Sequence, residues 1–227
     1  MSKRMNRANN LAQEQPPVPG AFIDLDALGA AAVAREPFAY FIVPGFVKAE
    51  ARDTIRTDFP AIRHPGSFPL ATLHYGPAFA AFMDAIQGKA MAAAVGDKLD
   101  MDLTESPTMV TVRGQSRAAD GKIHTDSRTK LVTALIYMND SWESPKGRLR
   151  LVRSQTDLDD VVAEVPPEQG TLLVFRNEPN AWHGFEPFSG PRRVIQLNWV
   201  TEASVVRREL ARHRLSAFFK RLGNHKA

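Results

Sequence analysis

His124-Thr125-Asp126 sets an imidazole and a carboxylate two residues apart. On an extended backbone, side chains at i and i+2 point to the same face, so both can approach one metal ion without distortion. A lone H-x-D is a weak signal, since a chain with 6 histidines yields such pairs by chance. A second half strengthens it. The run GTLLVF (170–175) precedes Trp182-His183-Gly184, and Arg193 opens the apolar run RVIQLNWV (193–200) ten residues beyond His183. Two imidazoles and one carboxylate suit a divalent iron with three coordination positions left open. An arginine opening the next strand can fork onto a dicarboxylate. Arg192 and Arg193 must face opposite ways in that strand. Arg193 shares its face with Ile195, Leu197 and Trp199. Taking the more apolar face as the interior predicts Arg193 inside and Arg192 towards solvent.

The elements that must position these groups change character once along the chain. Asp26 to Glu36 is alanine-rich and predicts a helix stopped by Pro37. FAYFIVPGF (38–46) reads as a short strand ending in a Pro-Gly turn, and helical patterns follow at 47–58 and 77–95. From Thr108 onward come six short β runs: TMVTV, KLVTALIYM, RLRLV, DVVAEV, TLLVF and RVIQLNWV. With only loops between them, they indicate an antiparallel sandwich or barrel. From Ala203 the pattern returns to helix. The expected organisation is a basic arm over 1–20 and one domain over 21–227. That domain divides into a helical support region (21–104), a β core (105–201) and a basic C-terminal helix (203–227).

Composition narrows the function classes. A chain of 227 residues, 44% hydrophobic, can bury one sizeable core. It has no cysteine, which excludes disulfides, thiolate metal sites and a cysteine nucleophile, and fits a cytoplasmic location. Its most apolar helical stretch is interrupted by Asp84 and Lys89, so no membrane span is expected. The net charge of +4 is unevenly spread, with seven Lys/Arg against one Glu in residues 207–227. Residues 16–206 hold 19 Lys/Arg against 23 Asp/Glu, a mildly acidic body that argues against nucleic acid. In the tail, Ala211, Leu215, Phe218 and Leu222 form one helical stripe flanked by arginines. That stripe caps the β core or, in a sharper reading, meets an anionic surface or acidic partner. His64 and His74 read as ordinary loop residues, and Met83, Met91 and Met101 as gap-fillers of a helical core.

The segments HTDSRTKLVTALIYMNDSW, KGRLRLV, GTLLVFRNEPNAWHGFEP and GPRRVIQLNWV resemble the prolyl-4-hydroxylase-like branch of the 2-oxoglutarate/Fe(II) dioxygenases over residues 105–201. The resemblance implies a mainly β fold with flanking helices: a double-stranded β-helix (jelly roll) packed by N-terminal helices and a C-terminal helix. It implies Fe(II) ligands at His124, Asp126 and His183. It further implies Arg193 on the distal carboxylate of 2-oxoglutarate, helped by the phenol of Tyr137, although Tyr137 also fits a plain core tyrosine. The co-substrates would be 2-oxoglutarate and O2, with decarboxylation to succinate and CO2. Related halogenases carry a small residue at the carboxylate position, so Asp126 favours hydroxylation. The substrate would be a small molecule, peptide or glycan. Two departures stand out: Gly147-Arg148 in place of a Gly-Gly pair, and Arg113-Gly114-Gln115 where the family has a tyrosine before the H-x-D loop. The rival reading is a non-catalytic jelly-roll module that binds a metal or ligand.

Overall fold

The computed structural model describes residues 22–208 and residue 211. The expected arm over 1–20, and the tail beyond 208 apart from residue 211, lie outside the described residues. Helix α1 (Leu25–Ala30) starts where the Asp24 carboxylate accepts from the Ala27 N–H at 2.8 Å. It ends earlier than its alanine content predicts. Ala34 and Tyr40 instead exchange two backbone hydrogen bonds of 2.9 Å, so pairing overrides propensity over 31–36. Helix α2 covers Ala49–Thr57. The single helix expected over 77–95 is two, α3 (Pro77–Gln87) and α4 (Lys89–Leu99), divided where Gly88 is extended. Asp58 accepts from Ala78 N–H at 2.7 Å and so satisfies an orphan donor at the start of α3.

Among the described residues, nine strands follow or interleave: β1 (Tyr40–Val43), β2 (Phe68–Pro69), β3 (Thr108–Ser116), β4 (Lys130–Tyr137), β5 (Leu149–Val152), β6 (Val161–Val165), β7 (Leu172–Arg176), β8 (His183–Gly184) and β9 (Gly190–Val200). They form a six-stranded sheet, β1-β7-β4-β9-β3-β2, and a three-stranded sheet, β6-β5-β8. All pairings within both sheets are antiparallel. This is a mainly β jelly roll with flanking helices. The N-terminal half is more than helical support, since β1 and β2 form the two edges of the larger sheet.

The large sheet is buried on both faces, which is why β4 and β9 read as nearly continuous apolar runs. One face carries Val132, Ala134 and Ile136 of β4 with Ile195, Leu197 and Trp199 of β9, packed in one core with Phe79, Phe82 and Ile86 of α3. The opposite face carries Leu135, Tyr137, Leu173 and Val194, packed on Leu149, Leu151 and Val165 of the small sheet. The candidate site opens on this second face, between the sheets.

Candidate metal centre and its cavity

The H-x-D lies in the loop between β3 and β4, and His183 lies on β8. Two backbone hydrogen bonds of 3.0 Å join His124 and His183 reciprocally, and Phe185 N–H donates to Gly121 O at 2.8 Å. So close an approach needs Gly184 to be side-chain-free. A Cβ there would stand 2.8 Å from Gly121 O and 3.2 Å from the Ile123 backbone. Gly121 has φ +87°, and a Cβ on it would meet the Phe185 ring at 2.6 Å. The two imidazole centroids are consequently 4.4 Å apart. One ligand atom each from His124, Asp126 and His183 lies within 4.8 Å of the other two.

The surroundings leave these atoms in ligand form. His124 Nδ1 is 2.8 Å from Lys122 O, and His183 Nδ1 is 3.0 Å from Ala181 O. A carbonyl can only accept, so each Nδ1 carries the proton and each Nε2 keeps its lone pair for a metal. Burial, and then the neighbouring His124, push the His183 pKa down to about 4, so its ring is neutral. Burial would raise the Asp126 pKa, but Lys130, His183 and the hydrogen bonds from Lys130 and Thr133 hold it below the ordinary value. Lys130 Nζ is 2.6 Å from Asp126 Oδ1, and Thr133 Oγ1 donates to Oδ2 at 2.5 Å. Asn198 Nδ2 in turn donates to Thr133 Oγ1 at 2.7 Å. Two imidazoles and an oriented carboxylate fit a divalent iron.

The triad opens into a cavity of about 260 Å³, which Arg192 also lines. This corrects the expected register. Arg192 is 3% exposed and faces between the sheets, whereas Arg193 is only partly buried and lies on the opposite face of β9. The apolar face bearing Ile195, Leu197 and Trp199 packs on the helices, so it is interior without being the barrel interior. The face turned to the small sheet is the more polar one because it lines the site. The backbone of Arg193 is held by Asn139, whose Oδ1 accepts from Arg193 N–H at 2.7 Å. Arg192 Nε donates to Gly147 O at 2.9 Å, its guanidinium sits 4.2 Å from the Phe185 ring centroid, and Nη2 has no partner. Gly147 takes φ +77°, with the Trp142 ring 2.8 Å from where a Cβ would be. Tyr137 is fully buried beside Arg192, 5.6 Å from ring centroid to guanidinium carbon, and its Oη is also unpartnered. Burial pushes this phenol up to about 12 against the pull of Arg192, so it is a neutral donor.

Lys130, Thr133, Ser67 and Gln196 line the cavity without having been singled out from the sequence, and Arg113, noted there only as a departure from the family pattern, lines it too. Thr133 and Asn198 left a signal, being polar residues inside apolar β runs. His64 and His74 are not among the cavity-lining residues.

Residues 113–201 match the family model described as the 2OG-Fe(II) oxygenase superfamily. No curated protein sequence matches the chain. Among solved structures, the viral collagen prolyl hydroxylase of Paramecium Bursaria Chlorella virus-1, in its 2OG complex, is 15% identical with a TM-score of 0.51. The alignment covers 71% of this chain and 96% of that one. A Pseudomonas putida prolyl-4-hydroxylase is 19% identical with a TM-score of 0.49, over 82% of this chain and 93% of that one. At such identity the viral enzyme speaks for the fold alone. The family match runs from Arg113 in β3 to the end of β9, the segment that supplies the triad, Arg192 and most walls of their cavity, and it is to this superfamily, whose members use Fe(II), 2-oxoglutarate and O2, that this segment of the chain is similar.

Proposed function

We propose that the chain is a hydroxylase in which His124, Asp126 and His183 hold Fe(II) and Arg192, not Arg193, receives the distal carboxylate of 2-oxoglutarate. The observation that carries this reading is Arg192 itself. A buried guanidinium is costly unless paired, and this one lines the triad's cavity with Nη2 unpartnered. A dicarboxylate reaching from the metal would complete it.

Bound Fe(II) supplies the oxidising chemistry: O2 is consumed, 2-oxoglutarate is decarboxylated to succinate and CO2, and a substrate C–H is hydroxylated. The protein's residues do the positioning. Lys130 and Thr133 fix the Asp126 carboxylate, and the carbonyls of Lys122 and Ala181 fix the imidazole tautomers. In this reading the neutral Tyr137 phenol, unpartnered beside Arg192, donates to the same carboxylate. Leu135, Leu149, Phe185 and Val194 supply apolar walls that keep water from the reacting centre.

Protein purified without oxygen, reloaded with Fe(II) and then given O2 and 2-oxoglutarate should form succinate without added substrate. Asp126→Ala should lose bound iron and succinate together. Iron binding with no succinate would support the non-catalytic module instead, and wild-type turnover by Asp126→Ala would overturn the ligand assignment.

A further inference from the structure

We propose that the molecule oxidised at this site carries an acidic group, carboxylate or phosphate, received by Arg113 at the cavity. The proposal rests on the hydroxylase reading and adds the class of substrate. Arg113 lies on β3 opposite Val194 of β9, one inward-facing position along from Arg192, and lines the same cavity. Its guanidinium is held by two loops: Nη1 donates to Asp120 Oδ2 at 2.6 Å and Nη2 to Ser67 Oγ at 3.1 Å. Two of its five N–H groups are thereby used, leaving a fixed, partly buried fork with donors to spare. The Ser67 loop is itself pressed against β3. A Cβ on Gly114 would stand 2.7 Å from Ile62 O, and Pro65 bridges to Gln115.

Charge balance gives the second argument. The cavity wall holds three cations, Arg113, Lys130 and Arg192, and one carboxylate, Asp126. Asp120, 14% exposed, is the carboxylate on Arg113. Fe(II) and dianionic 2-oxoglutarate cancel one another, so the loaded site keeps one excess positive charge. That excess sits in a body whose residues 16–206 have more acids than bases. A local positive cavity in an acidic surface concentrates small anions at its mouth, and uncompensated charge of low exposure disfavours a neutral or cationic guest. Arg113 is the cation offered to that guest: Arg192 faces 2-oxoglutarate and the Lys130 ammonium is turned to the metal ligand Asp126, whereas Arg113, although paired with Asp120, keeps unused N–H donors on its fork.

The test titrates protein loaded with Mn(II) and 2-oxoglutarate, without oxygen, by calorimetry. The probes are N-acetylglycine, methyl phosphate and neutral N-acetylglycinamide. Saturable binding of one or both anions, with at least about tenfold weaker binding of the amide, is expected. Preference between the two anions assigns carboxylate or phosphate. Arg113→Gln should weaken the anion by at least about tenfold, Arg113→Lys should restore part of it, and Arg117→Gln, an exposed second partner of Asp120, should not. Equal binding of acid and amide, no anion binding by wild type, or undiminished binding by Arg113→Gln would overturn the proposal. So would a parallel loss of 2-oxoglutarate affinity in Arg113→Gln, which would move Arg113 to the co-substrate. Failure of wild type to bind 2-oxoglutarate at all would instead strike the hydroxylase reading.

Discussion

Two adjacent arginines differ by one residue in sequence and by a whole sheet face in space. Arg192 is buried among Tyr137, Phe185 and the Gly147 carbonyl, while Arg193 lies on the other face, partly exposed. Losing one member of a buried charge pair typically costs about 2–5 kcal/mol, or roughly 30-fold to several thousand-fold in affinity. Arg192→Met should therefore raise the 2-oxoglutarate requirement by at least about 30-fold, and Arg193→Ala by less than about fivefold. Without ligand, Arg192→Met should unfold within about 1–2 kcal/mol of wild type, since removal of a poorly paired buried charge offsets the lost bond to Gly147. Succinate output against 2-oxoglutarate, together with urea midpoints, checks both halves. A large stability loss with unchanged co-substrate dependence would make Arg192 structural. The sequence announced the triad's residues because i, i+2 spacing and donor type are local properties. It could not announce which arginine turns inward. That depends on which apolar face meets the helices, a matter of tertiary packing rather than of β9 itself.

Among the elements, six of the nine strands were legible as β runs, and β1 as part of one, because each alternates or is bounded by turn residues. Strands β2 and β8 were not, being two residues long and defined only by their partners. The break between α3 and α4 was equally hidden, since Gly88 is one tolerated residue within a continuous helical pattern. Strand β8 matters most, for it carries His183 into contact with the His124 loop through backbone alone. Gly184→Ala would drive a methyl against Gly121 O and the Ile123 backbone, neither of which is a flexible side chain. The two segments must part by some tenths of an ångström or more, and the imidazoles with them. Metal affinity should fall by at least about tenfold, since ligation demands distances good to about 0.2 Å. Co(II) titration followed by its visible absorption would show it. An unchanged affinity in Gly184→Ala would mean that the loop yields freely and that the tight approach does not set the site.

For the whole molecule, the larger sheet divides two cores with different tasks. The helix-side core, with Phe79, Phe82, Ile195, Leu197 and Trp199 all at most 1% exposed, contains none of the described residues that line the cavity. The core between the sheets is smaller and shares its volume with the cavity and with Arg192, Tyr137 and the triad. Ligands should therefore stabilise the fold through the second core, while defects in the first leave that gain intact. Mn(II) and 2-oxoglutarate binding as one unit, at about a hundred times the joint dissociation constant, should add about 2.7 kcal/mol by mass action. For a chain of this size that is a Tm rise of roughly 5–11 °C. Ile195→Val, in the helix-side core, should lower unliganded stability by roughly 0.5–1.5 kcal/mol, a Tm fall of about 1–6 °C. It should keep the full ligand-induced rise, because the two sites share no side chain and their effects add. Asp126→Ala should gain little from ligand, and its unliganded Tm should fall as well, because the change leaves Lys130, 15% exposed, without its carboxylate. Thermal melts of the three proteins with and without ligand decide between this division and a single coupled core. If Ile195→Val halves the ligand-induced rise, packing against the helices reaches through the sheet to the metal centre, and the large sheet is a transmitter rather than a partition.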